Sequence, residues 1–167
     1  MNEDVMSRTP TAILLLPLLL LAGCVSEPSA PPPPRKPVID LDAVLPPRTL
    51  LRKDTIEALE HDRNASRLAY VGVWASDGDR CAMMDQTAFK GYAVITPGAM
   101  RRSTGSCSFE PGTPGETAQH LEASCKSGKQ SVNRTLVIQM LDSQTLYLGT
   151  PDDQPGEKMV RCRLLSQ

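Results

Sequence analysis

Aromatic residues are scarce in this chain: one tryptophan, three tyrosines and two phenylalanines among 167 residues. A core with so few large side chains is modest, and a domain of about a hundred residues built on it calls for covalent staples. An excess of charge of one sign is missing as well. Eighteen basic side chains against nineteen acidic give a net charge of −1, and residues 70–167 are balanced in themselves. That leaves no footprint for nucleic acid and no polybasic clamp for a membrane surface. Histidine occurs only twice, and there is no Gly-x-Ser-x-Gly elbow, His-Glu-x-x-His pair, glycine-rich phosphate loop or Cys-x-x-Cys pair. The usual signatures of hydrolytic, phosphoryl-transfer and metal chemistry are therefore wanting. No apolar run reaches the roughly 20 residues that a helix needs to cross a bilayer.

What the chain does have begins with a shorter greasy run, Thr11 to Ala22. Its length suits the core of an export signal, with Ala12 to Leu20 as the apolar region and cleavage after the small residues Ala22 and Gly23. Leu21-Ala22-Gly23-Cys24 resembles the lipobox of bacterial lipoproteins. The resemblance implies a diacylglycerol on the Cys24 thiol, cleavage before Cys24 and acylation of the new amino terminus. Several chains on one residue anchor stably where one does not. The covalent lipid is the only prosthetic group expected. Met1 to Val5 is acidic where a signal should be basic, and a start at Met6 would restore the pattern with Met-Ser-Arg. Val25 and Ser26 follow the cysteine, and with no aspartate there the resemblance implies the outer membrane.

Residues 25–50 hold eight of the fifteen prolines, Pro31 to Pro34 among them. Such a tract favours an extended, semi-rigid polyproline stalk over a packed core. The expected layout is thus a signal at 1–23, lipidated Cys24 with a disordered proline-rich linker to residue 50, a short helix within 51–69, and a β-domain over 70–167. The helix is expected from Asp54, read as an N-cap, with Glu57 completing a capping box. Glu57 with His61, and Glu60 with Arg63, are spaced to pair along it.

From Tyr70 the texture is β. Runs at 70–74, 91–96, 99–110, 117–127, 134–141, 145–149 and 158–165 are separated by turn signals such as Thr96-Pro97-Gly98 and Ser127-Gly128-Lys129. Leu121, Ala123 and Cys125 alternate with His120, Glu122 and Ser124, the period of a half-buried strand. The expectation is an all-β domain, a small antiparallel barrel or sandwich of about seven to eight strands, with Trp74 anchoring its core.

With Cys24 set aside, Cys81, Cys107, Cys125 and Cys162 form an even set in an exported chain, which reads as two disulfides. Pairing Cys81 with Cys162 ties the first strand region to the last, and Cys107 with Cys125 joins the runs flanking a Pro-Gly loop. That pattern is favoured, while Cys81–Cys107 with Cys125–Cys162 stays open. His120 beside Glu122 reads as a solvated strand pair. Asp77-Gly78-Asp79 and Asp152-Asp153 read as turns and not as cation ligands, because neither has an EF-hand's spacing. No catalytic residue, metal site or nucleic-acid partner is expected, and the chain is not read as an enzyme.

"GVWASDGDRC" at 72–81, with a second cysteine at 107, resembles the opening of the alkaline protease inhibitor family, small periplasmic β-barrels that plug secreted metalloproteases. That resemblance implies a Cys81–Cys107 bond. Cys125 and Cys162 have no counterpart in the family's single-disulfide pattern, and no inhibitory residue carries over. The functional expectation is a bacterial outer-membrane lipoprotein. Its β-domain faces the periplasm or the cell surface and binds, or inhibits, an envelope protein such as a protease or lysozyme. The alternative is a structural or assembly lipoprotein without inhibitory activity.

Overall fold

The computed structural model of the protein describes residues 43–62, 68–153 and 156–165. Cys24, the export signal and most of the proline-rich tract lie outside them. Within the described residues eight antiparallel strands close into a barrel in sequence order. They are β1 Gly72–Ala75, β2 Tyr92–Thr96, β3 Ala99–Arg102, β4 Gly105–Phe109, β5 Ala118–Ser127, β6 Gln130–Met140, β7 Thr145–Gly149 and β8 Glu157–Cys162. Closure comes from β8 pairing back on β1, with Val73 opposite Cys162 and Ala75 opposite Val160.

The run at 99–110, expected as one strand, is a hairpin. Arg102 pairs with Gly105 across Ser103-Thr104, polar residues suited to a tight turn. Glycine is required where β4 begins, because a Cβ on Gly105 would stand 2.0 Å from the Lys126 carbonyl oxygen. β6 in turn starts four residues earlier than its apolar run at 134–141 suggests. Ser127 pairs with Gln130, and Gly128, at φ 59°, opens the two-residue turn where primed hairpin turns favour glycine.

The inner face of the barrel collects Trp74, Ile95, Ile138, Leu146 and Met159, each at 0% exposure. A second apolar layer lies outside β1 and β2. There the helix α1, Lys53–Asp62, buries Thr55, Ala58 and Leu59, the latter two in a cluster with Val73, Ala75, Val94 and Met84. Both faces of β1 are therefore covered, which explains why all four of its residues are buried instead of alternating. Ala58 is wholly buried, and its small side chain lets the helix approach the sheet closely.

The helix begins differently from the capping box expected of Asp54 and Glu57. Its first backbone bond runs from the Ile56 amide to the Arg52 carbonyl at 3.0 Å, and the Asp54 carboxylate pairs with Arg101 of β3. Glu60 pairs with Arg48, while Arg63 lies outside the described residues. Part of the segment expected in the linker packs on the barrel. Leu45 is 5% exposed, its amide donates to the Arg163 carbonyl at 2.8 Å, and Val44 forms a parallel bridge with Arg163.

Disulfides join Cys81 to Cys162 and Cys107 to Cys125. The Cys81–Cys107 bond implied by the inhibitor resemblance is not formed. Cys107 stands directly opposite Cys125 in the β4–β5 register, whereas Cys81, in the 3-10 turn Gly78–Met83, lies on the outer face against the end of β8.

Candidate functional site

The two ends of the barrel differ. At one end Arg161 of β8 lies across the lumen with its guanidinium over the Trp74 ring, 4.1 Å from the centroid. It donates to the carbonyls of Ala69 at 2.6 Å, Val71 at 3.0 Å and Ser143 at 2.8 Å, and pairs with Asp62. The Trp74 Nε1–H donates to the Tyr70 carbonyl at 2.9 Å, so the only indole in the chain is polar-satisfied as well as buried. The β4–β5 loop covers the rest of this end. Its Gly112 amide donates to the Tyr70 hydroxyl at 3.0 Å, and Gln119 exchanges hydrogen bonds with the Thr113 backbone at 3.0 and 2.7 Å. Burial pushes the Tyr70 phenol above its ordinary pKa, an effect that the Gly112 amide only partly offsets.

The other end is open. A cavity of about 1060 Å³ occupies it, floored by Met100, Leu136, Leu148 and the Cys107–Cys125 disulfide. Val132 and Arg134 line its wall from β6. Arg102 and Glu157 pair across the ends of β1 and β2, so one rim is tied by an ion pair. Arg134 has no acidic partner among the described residues. Asp153 of the β7–β8 loop accepts from the Thr150 hydroxyl at 3.0 Å.

Beside the cavity the sheet is incomplete. β6 pairs with β5 along nearly its whole length, Gln130 to Gln139, but with β7 only from Val137 to Met140. From Gln130 to Leu136 its second edge has no strand beside it among the described residues. The inward side chains along this stretch are Val132, Arg134 and Leu136, since Leu136 lies opposite the buried Leu121. Val132 is 48% exposed, an apolar side chain at the rim of an open cup.

A third constellation fixes the helix to the barrel wall. The Asp85 carboxylate, 1% exposed, accepts from the Thr55 hydroxyl at 2.6 Å, the Arg52 amide at 2.9 Å and the Arg101 guanidinium at 2.9 Å. Burial raises the cost of its charge, yet the three donors and the Arg101 charge outweigh that and hold the carboxyl below its ordinary range. Arg101 also donates to Asp54 and to the Thr55 hydroxyl, so the cluster ties helix, loop and β3 together as a structural lock.

His120 and Glu122 project outward from β5 and converge on nothing. His120 is exposed opposite Val137, and Glu122 accepts from the Thr135 hydroxyl at 2.7 Å. Asp77 caps the 3-10 turn by accepting from the Arg80 amide at 3.1 Å. Among the described residues no three of His, Cys, Asp and Glu gather closely enough to hold a metal, and no helix is long and apolar enough to cross a membrane. Val132, Arg134, Arg102 and Glu157 were not singled out by sequence. The polar stretch Gln130–Asn133 hides the start of β6, and the signal that reveals it is the Ser127-Gly128-Lys129 turn followed by alternation at Val132, Arg134 and Leu136. No family model, no curated protein and no solved structure matches this chain.

Proposed function

We propose that the protein is a lipid-anchored lipoprotein of the bacterial outer membrane, and that its barrel is a binding module inhibiting an envelope or secreted hydrolase, a protease or lysozyme. The lipobox-like Leu21-Ala22-Gly23-Cys24 supports the anchor, and the proline-rich tract after it suits a spacer. The observation that carries the binding role is the open mouth, a concave surface of mixed polarity on a barrel that is closed elsewhere and bridged by two disulfides. A frame held in this way loses little conformational entropy when a partner docks. Small-molecule and cofactor sites characteristically lie in the mouths of such barrels.

Capture from native envelope extract tests the reading, using the full-length lipidated protein in detergent with its disulfides formed. A single hydrolase retained in stoichiometric amount, and slowed by the purified protein, supports inhibition. Retention of assembly proteins with no effect on any hydrolase would replace it with an architectural role. A Cys24→Ala variant is expected to leave the membrane fraction for the soluble one, and its continued membrane residence would remove the lipid anchor from the proposal.

A further inference from the structure

The open edge of β6 and the cavity beside it make one site. Among the described residues the strand is paired from Gln130 to Leu136 on its β5 side alone, so alternate residues turn their N–H and C=O groups away from β5, toward the unpaired side. Seven residues of strand span roughly 20 Å. Exposed sheet edges are ordinarily covered, charged or kept short; this one is long and carries Val132 at 48% exposure. A row of alternating donors and acceptors at peptide spacing is matched by one kind of ligand, another polypeptide backbone in extended form.

We propose that the Gln130–Leu136 edge accepts an extended segment of a partner protein as an added strand across the barrel mouth, with alternate side chains of that segment entering the cavity. The side chains at the site set the chemistry of the segment. Over Leu136, Leu148 and the Cys107–Cys125 disulfide the entering residues are apolar. Against Arg134, which has no acidic partner among the described residues, the segment presents a carboxylate. A second copy of the chain is a poorer occupant, because edge-to-edge pairing brings two Arg134 side chains into the same mouth, and like charges on paired strands repel. The proposal rests on the binding reading above for its claim that the occupant is a protein, and it supplies the mode of recognition.

The test uses the full-length protein in detergent and a capped seven-residue peptide, Thr-Val-Thr-Asp-Thr-Val-Thr, whose one face carries a carboxylate between two valines to match Val132, Arg134 and Leu136. Saturable binding is expected, with amide exchange slowed at alternate residues of Gln130–Leu136 and unchanged at Val137–Met140. Arg134→Glu, an exposed substitution that leaves the core untouched, is expected to weaken this peptide at least tenfold and to favour the counterpart with lysine in place of the aspartate. Val132→Asp is expected to weaken both. Three results overturn the proposal: no saturable binding, binding without protection of the β6 amides, or protection that grows with protein concentration when no peptide is present, which would assign the edge to a second copy. A hydrolase captured equally well by Arg134→Glu, and not displaced by excess peptide, overturns strand addition while leaving the binding role intact. Peptide binding with the expected signatures but no captured hydrolase supports the edge and sinks only the hydrolase assignment.

Discussion

Asp85 combines two features that proteins ordinarily avoid, a positive φ of 62° at a residue other than glycine and a carboxylate buried to 1% exposure. Both are offset by its three donors and the charge of Arg101. Removing the carboxylate's charge in Asp85→Asn leaves the Arg101 guanidinium half-satisfied, and breaking a buried pair costs about 3 kcal/mol. Urea unfolding at neutral pH, followed through Trp74, would measure the loss; a change below 1 kcal/mol, roughly the worth of an exposed pair, would refute the lock. The pH dependence has a definite sign. Because the folded Asp85 carboxyl lies below its ordinary 3.8, the stability it contributes is fully present above that value and is lost as pH falls through the folded one. Wild type should therefore lose more stability than Asp85→Asn below about pH 4. Tyr70 behaves in the opposite sense. With its phenol raised above 10.0, its contribution persists below pH 10 and is lost as pH rises through the folded value. Tyr70→Phe should accordingly soften the alkaline end of the unfolding profile, as followed by circular dichroism. None of these pairings was legible in sequence, because Asp54, Asp85 and Arg101 lie far apart in the chain and only the packing of α1 against the β1–β3 side of the barrel brings them together.

Among the elements, the two disulfides close loops of different length. Their sequence separations are 81 and 18 residues. In the loop-entropy account, removing the longer costs about 4.5 kcal/mol and the shorter about 3.2 kcal/mol. Paired serine variants at Cys81 with Cys162, and at Cys107 with Cys125, compared by chemical denaturation, should keep that order. Reversal would place the stabilisation in native packing instead of the unfolded chain. The α1 contact is equally specific. Ala58→Leu forces extra carbon into a site with 0% exposure and should destabilise by about 1–3 kcal/mol, read as a lowered melting temperature. The strands themselves were largely legible, since the period-two alternation of β5 and the Pro-Gly and Ser-Gly turns mark their own places. Two boundaries were not. Residues 99–110 conceal a hairpin because Ser103-Thr104 is a weak turn signal, and Gln130–Asn133 conceals strand because three of its four side chains are polar. The capping box failed because the helix begins at Lys53, which puts Asp54 inside it, where its carboxylate accepts from the Thr55 amide and pairs with Arg101.

At the scale of the whole molecule, sequence leaves barrel and sandwich undivided, because strand spacing is the same in both. What decides is the pairing of β8 with β1, a contact between the two ends of the β-domain. The mouth was illegible for a related reason, being assembled from β3, β4, β5, β6, β7 and β8 with no local motif. The Cys81–Cys162 and Cys107–Cys125 bonds are nested, one inside the other. If the chain is exported amino end first, as proposed above, Cys81 meets its wrong neighbours, Cys107 and then Cys125, before its native partner Cys162. Oxidation in order of arrival would thus trap a Cys81–Cys107 chain that cannot close its barrel. On the proposed export, maturation of this protein would depend on a thiol isomerase that undoes early bonds, and its yield in cells lacking that activity should fall far more than that of an exported protein whose cysteines pair consecutively.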